Sequence, residues 1–122
     1  MSHSPAFLKL VDDAKSRIRQ ITPEEIKKRL DANEELMLVD TREEFEWNNG
    51  RIVGAIHLSK GVIEREIEML IPDMNQEIIL YCGGGYRSAL SADNLQKMGY
   101  TNVTSMEGGW RKWNELNYPT EQ

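Results

Sequence analysis

The chain has one cysteine among its 122 residues, Cys82, so no disulfide can form within it. Only two histidines, His3 and His57, could join that thiol on a metal, and no ligand spacing links the three, so no metal site is expected. No apolar run approaches the roughly 18 residues of a membrane-spanning helix. Basic residues are too few for a nucleic-acid-binding surface: fifteen stand against twenty acidic ones, for a formal net charge of −5. Neither nucleic acid nor membrane is therefore expected as a partner. Lys9, Asp12, Asp13, Lys15, Arg17 and Arg19 crowd the first twenty residues and exclude the apolar stretch of a secretory signal. A lone thiol in a chain without such a signal stays reduced, which leads to the expectation of a cytoplasmic protein. There is no internal repeat, and no low-complexity segment beyond three consecutive glycines.

What is present describes one globular domain. The length suits a single core that hides about two-thirds of the unfolded surface. Phe7, Val11, Ala14, Ile18 and Ile21 recur at spacings of four, three, four and three, the beat of one helical face, with charged residues between them. This reads as an N-terminal amphipathic helical extension over residues 1–20, covering either its own domain or a partner helix. The main domain follows over residues 21–122. At its start, Thr22, Pro23 and Glu25 spell a capped helix N-terminus with a capping box. Short apolar runs at 36–40, 55–59, 77–81 and 102–106 read as strands. Helical patterns at 41–47, 62–71, 88–98 and from Trp110 separate or follow them. Strands alternating with helices imply an α/β fold: a mainly parallel sheet with helices on both faces.

The stretch ILYCGGGYRSALSA, Ile79 to Ala92, is the most informative. In open α/β sheets ligands sit beyond the carboxyl ends of the strands, and Cys82 lies at that end of its strand. The loop from Gly83 to Arg87 then wraps over a helix N-terminus. Glycines let successive N–H groups point inward, forming an anion-binding concavity, and the helix dipole and Arg87 add positive potential that favours a thiolate. Cys82 is accordingly read as a nucleophile, cradled by Gly83, Gly84, Gly85, Tyr86, Arg87 and Ser88.

Other glycine loops fit poorly. A P-loop would place Lys and Ser or Thr after its glycines, and no Lys follows here. Gly83 and Gly85 match the first two glycines of a dinucleotide fingerprint, but Ser88 holds the place of the third. Cysteine phosphatases cradle phosphate in a similar loop with one more residue between cysteine and arginine. The shorter loop here closes the ring of amides around less volume, which suits one extra sulfur on the thiol better than a phosphoryl group.

Three stretches together resemble the single-domain rhodaneses, a family of sulfurtransferases. LVDTREEFEWNNGRIVGAIHL, Leu38 to Leu58, resembles the opening motif, with Glu44-Phe45 and Gly-x-Ile-x-Gly-Ala from Gly50. YCGGGYRSALSA resembles the active-site loop Cys-x-x-Gly-x-Arg-Ser, on Cys82, Gly85, Arg87 and Ser88. MEGGWRKWNELNYP, Met106 to Pro119, resembles the closing Gly-Gly-Trp turn and helix. Arg51 and Val53 stand where the family often has His and Pro. The resemblance implies a three-layer fold with a central sheet of about five strands. It also implies a mechanism: thiolate Cys82 takes sulfane sulfur from thiosulfate or a similar donor, holds it as a persulfide, and passes it to cyanide or a thiol, with a protein acceptor also open. No cofactor is implied. The other reading is a persulfide carrier or interaction module whose thiosulfate activity is incidental. Arg87 would stabilise donor charge or tie the loop to a carboxylate. Asp40 and Arg42, at a neighbouring strand end, would line the pocket or brace it as a pair. Trp110 and Trp113 are read as packing residues, His57 as a strand-end side chain, and Tyr86 as a residue at the entrance with its role open.

Overall fold

The computed structural model describes residues 3–122. Five strands form one parallel sheet: β1 (Arg19–Ile21), β2 (Leu38–Asp40), β4 (Ile56–His57), β5 (Ile78–Tyr81) and β6 (Val103–Met106), in the order β1-β6-β5-β2-β4. Successive residues of a strand point to opposite faces, and both faces here are apolar, as a buried parallel sheet requires. Ile78 and Leu80 face a cluster with Ile63 and Ile67 of α4 (Ile63–Leu70) and with Ala92 and Leu95 of α5 (Tyr86–Met98). Ile79 and Tyr81 face the opposite cluster, with Ile26 of α2 (Pro23–Asp31) and Trp113 of α6 (Gly109–Glu115). The expected three-layer α/β architecture is thus the one observed. A second, two-stranded sheet pairs β3 (Arg51–Ile52) antiparallel with β7 (Thr120–Glu121). Each of its strands is too short to leave a period in the sequence.

The N-terminal helix is shorter than its apolar beat suggests. α1 covers Pro5–Lys15, capped by Ser4, whose Oγ accepts from the Phe7 N–H at 3.2 Å. It ends where the Ser16 hydroxyl donates to the Asp13 carbonyl at 2.6 Å. Ile18 and Ile21, expected on the helical stripe, lie beyond it, and Ile21 reaches the core from the edge strand β1. The division drawn after residue 20 therefore falls inside β1. Val11 and Ala14 are buried on the α1 face that packs against α5. Arg17 clamps the junction through a two-point ion pair with Asp93, Nε to Oδ1 at 3.0 Å and Nη2 to Oδ2 at 2.7 Å.

Candidate functional site

Cys82 follows β5, the central strand, and opens the loop at the sheet's carboxyl edge. Gly85 has φ +96, a left-handed conformation that a side chain would strain, and this bend turns its N–H onto Cys82 Sγ at 3.1 Å. The Ser88 N–H reaches the same sulfur at 3.4 Å from the first turn of α5, which begins at Tyr86, two residues earlier than its pattern suggests. The Ser88 hydroxyl lies 3.5 Å from Sγ and 2.8 Å from the Ser105 hydroxyl, so a short polar chain runs from the thiol to β6. Two main-chain donors and a helix N-terminus thus converge on one sulfur. The glycine triplet is therefore no linker. Among the described residues, the N–H groups of Gly83 and Gly84 have no protein acceptor, and both residues line the cavity over Cys82.

α6 suspends this loop from below. The Trp110 N–H donates to the Cys82 carbonyl at 2.7 Å, and the Arg111 N–H to the Gly83 carbonyl at 3.0 Å. Such close approach needs Gly109: a Cβ there would overlap the Cys82 carbonyl oxygen and lie 2.9 Å from the Gly83 carbonyl carbon. Ser105, Gly109 and Glu46 all hold the loop; Gly109 stands in the Gly-Gly-Trp turn of the closing stretch, while nothing in the local sequence marks Ser105 or Glu46.

Arg87 takes the bracing geometry of its two expected roles. Its guanidinium grips Glu46 of α3 (Glu44–Asn48) at 2.7 and 3.1 Å. Those hydrogen bonds hold the Glu46 carboxyl below its usual range, against the opposing effect of burial. Glu46 chiefly, and Cys82 less, tighten Arg87's hold on its proton. A carboxyl depressed in the folded state adds stability above its unfolded value of about 4.3 and loses it as pH falls through the folded value. Glu46→Gln is accordingly expected to cost about 1 kcal/mol at neutral pH. Urea unfolding at a series of pH values should show the gap from wild type closing as pH drops below about 4.

Asp40 and Arg42 do not line the pocket. Both are buried and face each other: Arg42 Nε lies 3.0 Å from each Asp40 oxygen, and Nη2 lies 2.7 Å from Oδ2. Nη2 also donates to the Gly50 carbonyl at 2.7 Å, and the guanidinium stacks over Trp110 at 4.6 Å. A buried carboxylate needs a partner this close, so the pair faces inward and braces the strand ends. His57 is likewise structural, with Nε2 2.7 Å from the Arg42 carbonyl oxygen and its ring stacked on Trp47. Trp113 lies in the core.

A cavity of about 450 Å³ opens over Cys82. Gly83, Gly84, Arg87 and Glu46 form its floor side, while His3, Phe7, Phe45, Tyr86 and Arg111 surround the mouth. Among the described residues Arg111 has no carboxylate partner, so the free cation at the mouth is Arg111, while Arg87 spends its charge on Glu46. Gly83, Gly84 and Tyr86, also expected at the loop site, all border this space. Among the described residues there is no cluster of His, Cys, Asp and Glu able to hold a metal ion, and no helix long and apolar enough to cross a membrane.

Residues 22–116 match the family model described as Rhodanese-like domain. Proteins of Bacillus subtilis and Shewanella oneidensis are among those similar in sequence. The provisionally named sulfur carrier protein YrkF of B. subtilis is 33% identical over 80% of this chain and 52% of its own length. The provisionally named sulfurtransferase YtwF of the same organism is 34% identical over 79% of this chain and 90% of its own. The thiosulfate sulfurtransferase GlpE of S. oneidensis is 32% identical over 67% and 79%. This chain thus spans about half the length of YrkF. Among solved structures, a Rhodopseudomonas palustris protein described as of unknown function and a possible tyrosine phosphatase superposes with TM-score 0.86 at 27% identity, over 99% of this chain and 98% of that one. A rhodanese-related protein of Thermoplasma volcanium superposes with TM-score 0.73 at 27% identity, over 84% and 97%.

Proposed function

The chain belongs to the rhodanese-like domain family, and on that premise we propose that it is a sulfurtransferase working through a persulfide on Cys82. The observation that carries this reading is the convergence of the Gly85 and Ser88 N–H groups on Cys82 Sγ. In the proposed first step the Cys82 thiolate attacks the outer sulfur of thiosulfate. A bond forms between Sγ and that sulfur, the donor's sulfur–sulfur bond breaks, and its electron pair leaves with sulfite. The persulfide keeps the negative charge, and the loop amides stabilise it. In the second step cyanide or a thiolate attacks the outer sulfur, and the Cys82 thiolate departs. Splitting the transfer through a covalent intermediate replaces one difficult step with two easier ones. The cycle as written calls for neither metal nor organic cofactor, and it needs a reduced thiol, which fits a cytoplasmic setting. The free Arg111 guanidinium is suited to draw the anionic donor to the mouth.

Intact mass after mixing with thiosulfate tests the proposal. Wild type should gain the mass of one sulfur atom, lose it on adding cyanide, and Cys82→Ser should gain nothing. No gain in wild type, or hydrolysis of a phosphate ester in its place, would overturn the reading. The sulfur carrier among the relatives supports a second form of the same chemistry, in which the loaded sulfur passes to a protein thiol. That form requires transfer from loaded protein to a protein acceptor faster than to cyanide.

A further inference from the structure

The family match begins at residue 22, yet part of the wall around the Cys82 cavity comes from before it. His3 and Phe7 flank the cap and first turn of α1, and both meet Tyr86 on the cysteine loop. The ring centroids are 4.4 Å apart for His3 and Tyr86, 5.2 Å for His3 and Phe7, and 6.2 Å for Phe7 and Tyr86. The cluster is held in place. Ser4 caps the helix, Val11 and Ala14 bury its inner face on α5, and Arg17 grips Asp93. These rings offer little to thiosulfate, a small and strongly hydrated dianion that gains nothing from apolar walls. A cavity of about 450 Å³ is also large for it. That volume lies in the range of about 300–1,000 Å³ that holds organic ligands.

We propose that His3 and Phe7 are specificity-determining residues that select organic sulfane donors, compounds in which the transferable sulfur is attached to an apolar or aromatic body. The inference rests on the sulfurtransferase reading of Cys82 and deepens it. The body of the donor lies along His3, Phe7 and Tyr86, which directs its outer sulfur down to Sγ. With an aryl thiosulfonate the thiolate attacks the outer sulfur, the sulfur–sulfur bond breaks, and its electron pair leaves with the aryl sulfinate. Atoms and charge balance as they do for thiosulfate, and nothing is oxidised or reduced beyond the sulfur exchanged.

Benzenethiosulfonate is the probe, because it replaces one charged oxygen of thiosulfate with a phenyl ring and keeps the reacting bond. The measurement is kcat/KM for benzenethiosulfonate divided by kcat/KM for thiosulfate, with cyanide as acceptor, in wild type, His3→Ala, Phe7→Ala and Phe7→Leu. Wild type should favour the aryl donor. Phe7→Ala should lower the ratio about tenfold, the scale of a lost aromatic contact, and His3→Ala should lower it in the same direction. Phe7→Leu keeps the helix face apolar and should still lower the ratio. A ratio that is unchanged in all three variants overturns the proposal, since a purely structural cluster would move both donors together. In that event sulfur gain from thiosulfate in wild type leaves the sulfurtransferase reading standing. If wild type takes sulfur from neither donor, both fall.

Discussion

Gly109→Ala is expected to destabilise the domain by about 3 kcal/mol and to abolish sulfur loading of Cys82. Two costs combine. Residue 109 has φ +54, and the left-handed region costs an ordinary residue about 1–2 kcal/mol. The added methyl would also collide with the Cys82 carbonyl, which accepts from Trp110, and overpacking of this kind costs about 1–3 kcal/mol. Neither the start of α6 nor the cysteine loop can shift alone, because the Trp110 and Arg111 N–H groups tie them together. Relief of the clash therefore moves Cys82, and with it the alignment of Gly85 and Ser88 on Sγ. Urea unfolding and intact mass after thiosulfate measure the two effects. Gly61→Ala is the control: nothing lies within 4 Å of its Cβ position, and a change within about 0.5 kcal/mol is expected.

Arg42→Met should be as damaging to the fold for an electrostatic reason. Asp40 has no exposed surface, and Arg42 supplies three of its side-chain contacts as well as a main-chain N–H at 2.8 Å. Methionine fills much of the volume but leaves the carboxylate buried and without its cation. Breaking a buried pair from one side costs about 3–5 kcal/mol. For a domain of this size that corresponds to a fall in Tm of roughly 10–20 °C, measurable by calorimetry. Asp40→Asn leaves the converse, a buried guanidinium. The double variant should lose less than the two single losses added together, because residues that share one ion pair are coupled.

The sheet's centre was legible because Ile78, Ile79, Leu80 and Tyr81 form a continuous apolar run, which only a strand buried on both faces requires. The edge strand β1 was not. It has three residues, two of them exposed, and its one inward residue, Ile21, continues by chance the spacing of the helix before it. The Cys82 loop could be read because its thiol, glycines and helix start are contiguous. Its supports could not. Glu46, Ser105 and Gly109 reach it from α3, β6 and α6, and only the packed chain brings them to one place. Asp40 and Arg42 were legible as a pair at a strand end, while the side they face depends on Gly50 and Trp110, which no local pattern links to them.

Because the cysteine loop hangs from the opening turn of α6, the order of synthesis matters. A ribosome that has just finished β5 and α5 has made the thiol, the glycines and the helix that points at them, but not the clasp. The nascent chain therefore carries Cys82 in an unfastened loop until Gly109 and Trp110 clear the exit tunnel. Under the proposed function, sulfur loading of Cys82 therefore waits until the start of α6 has been made.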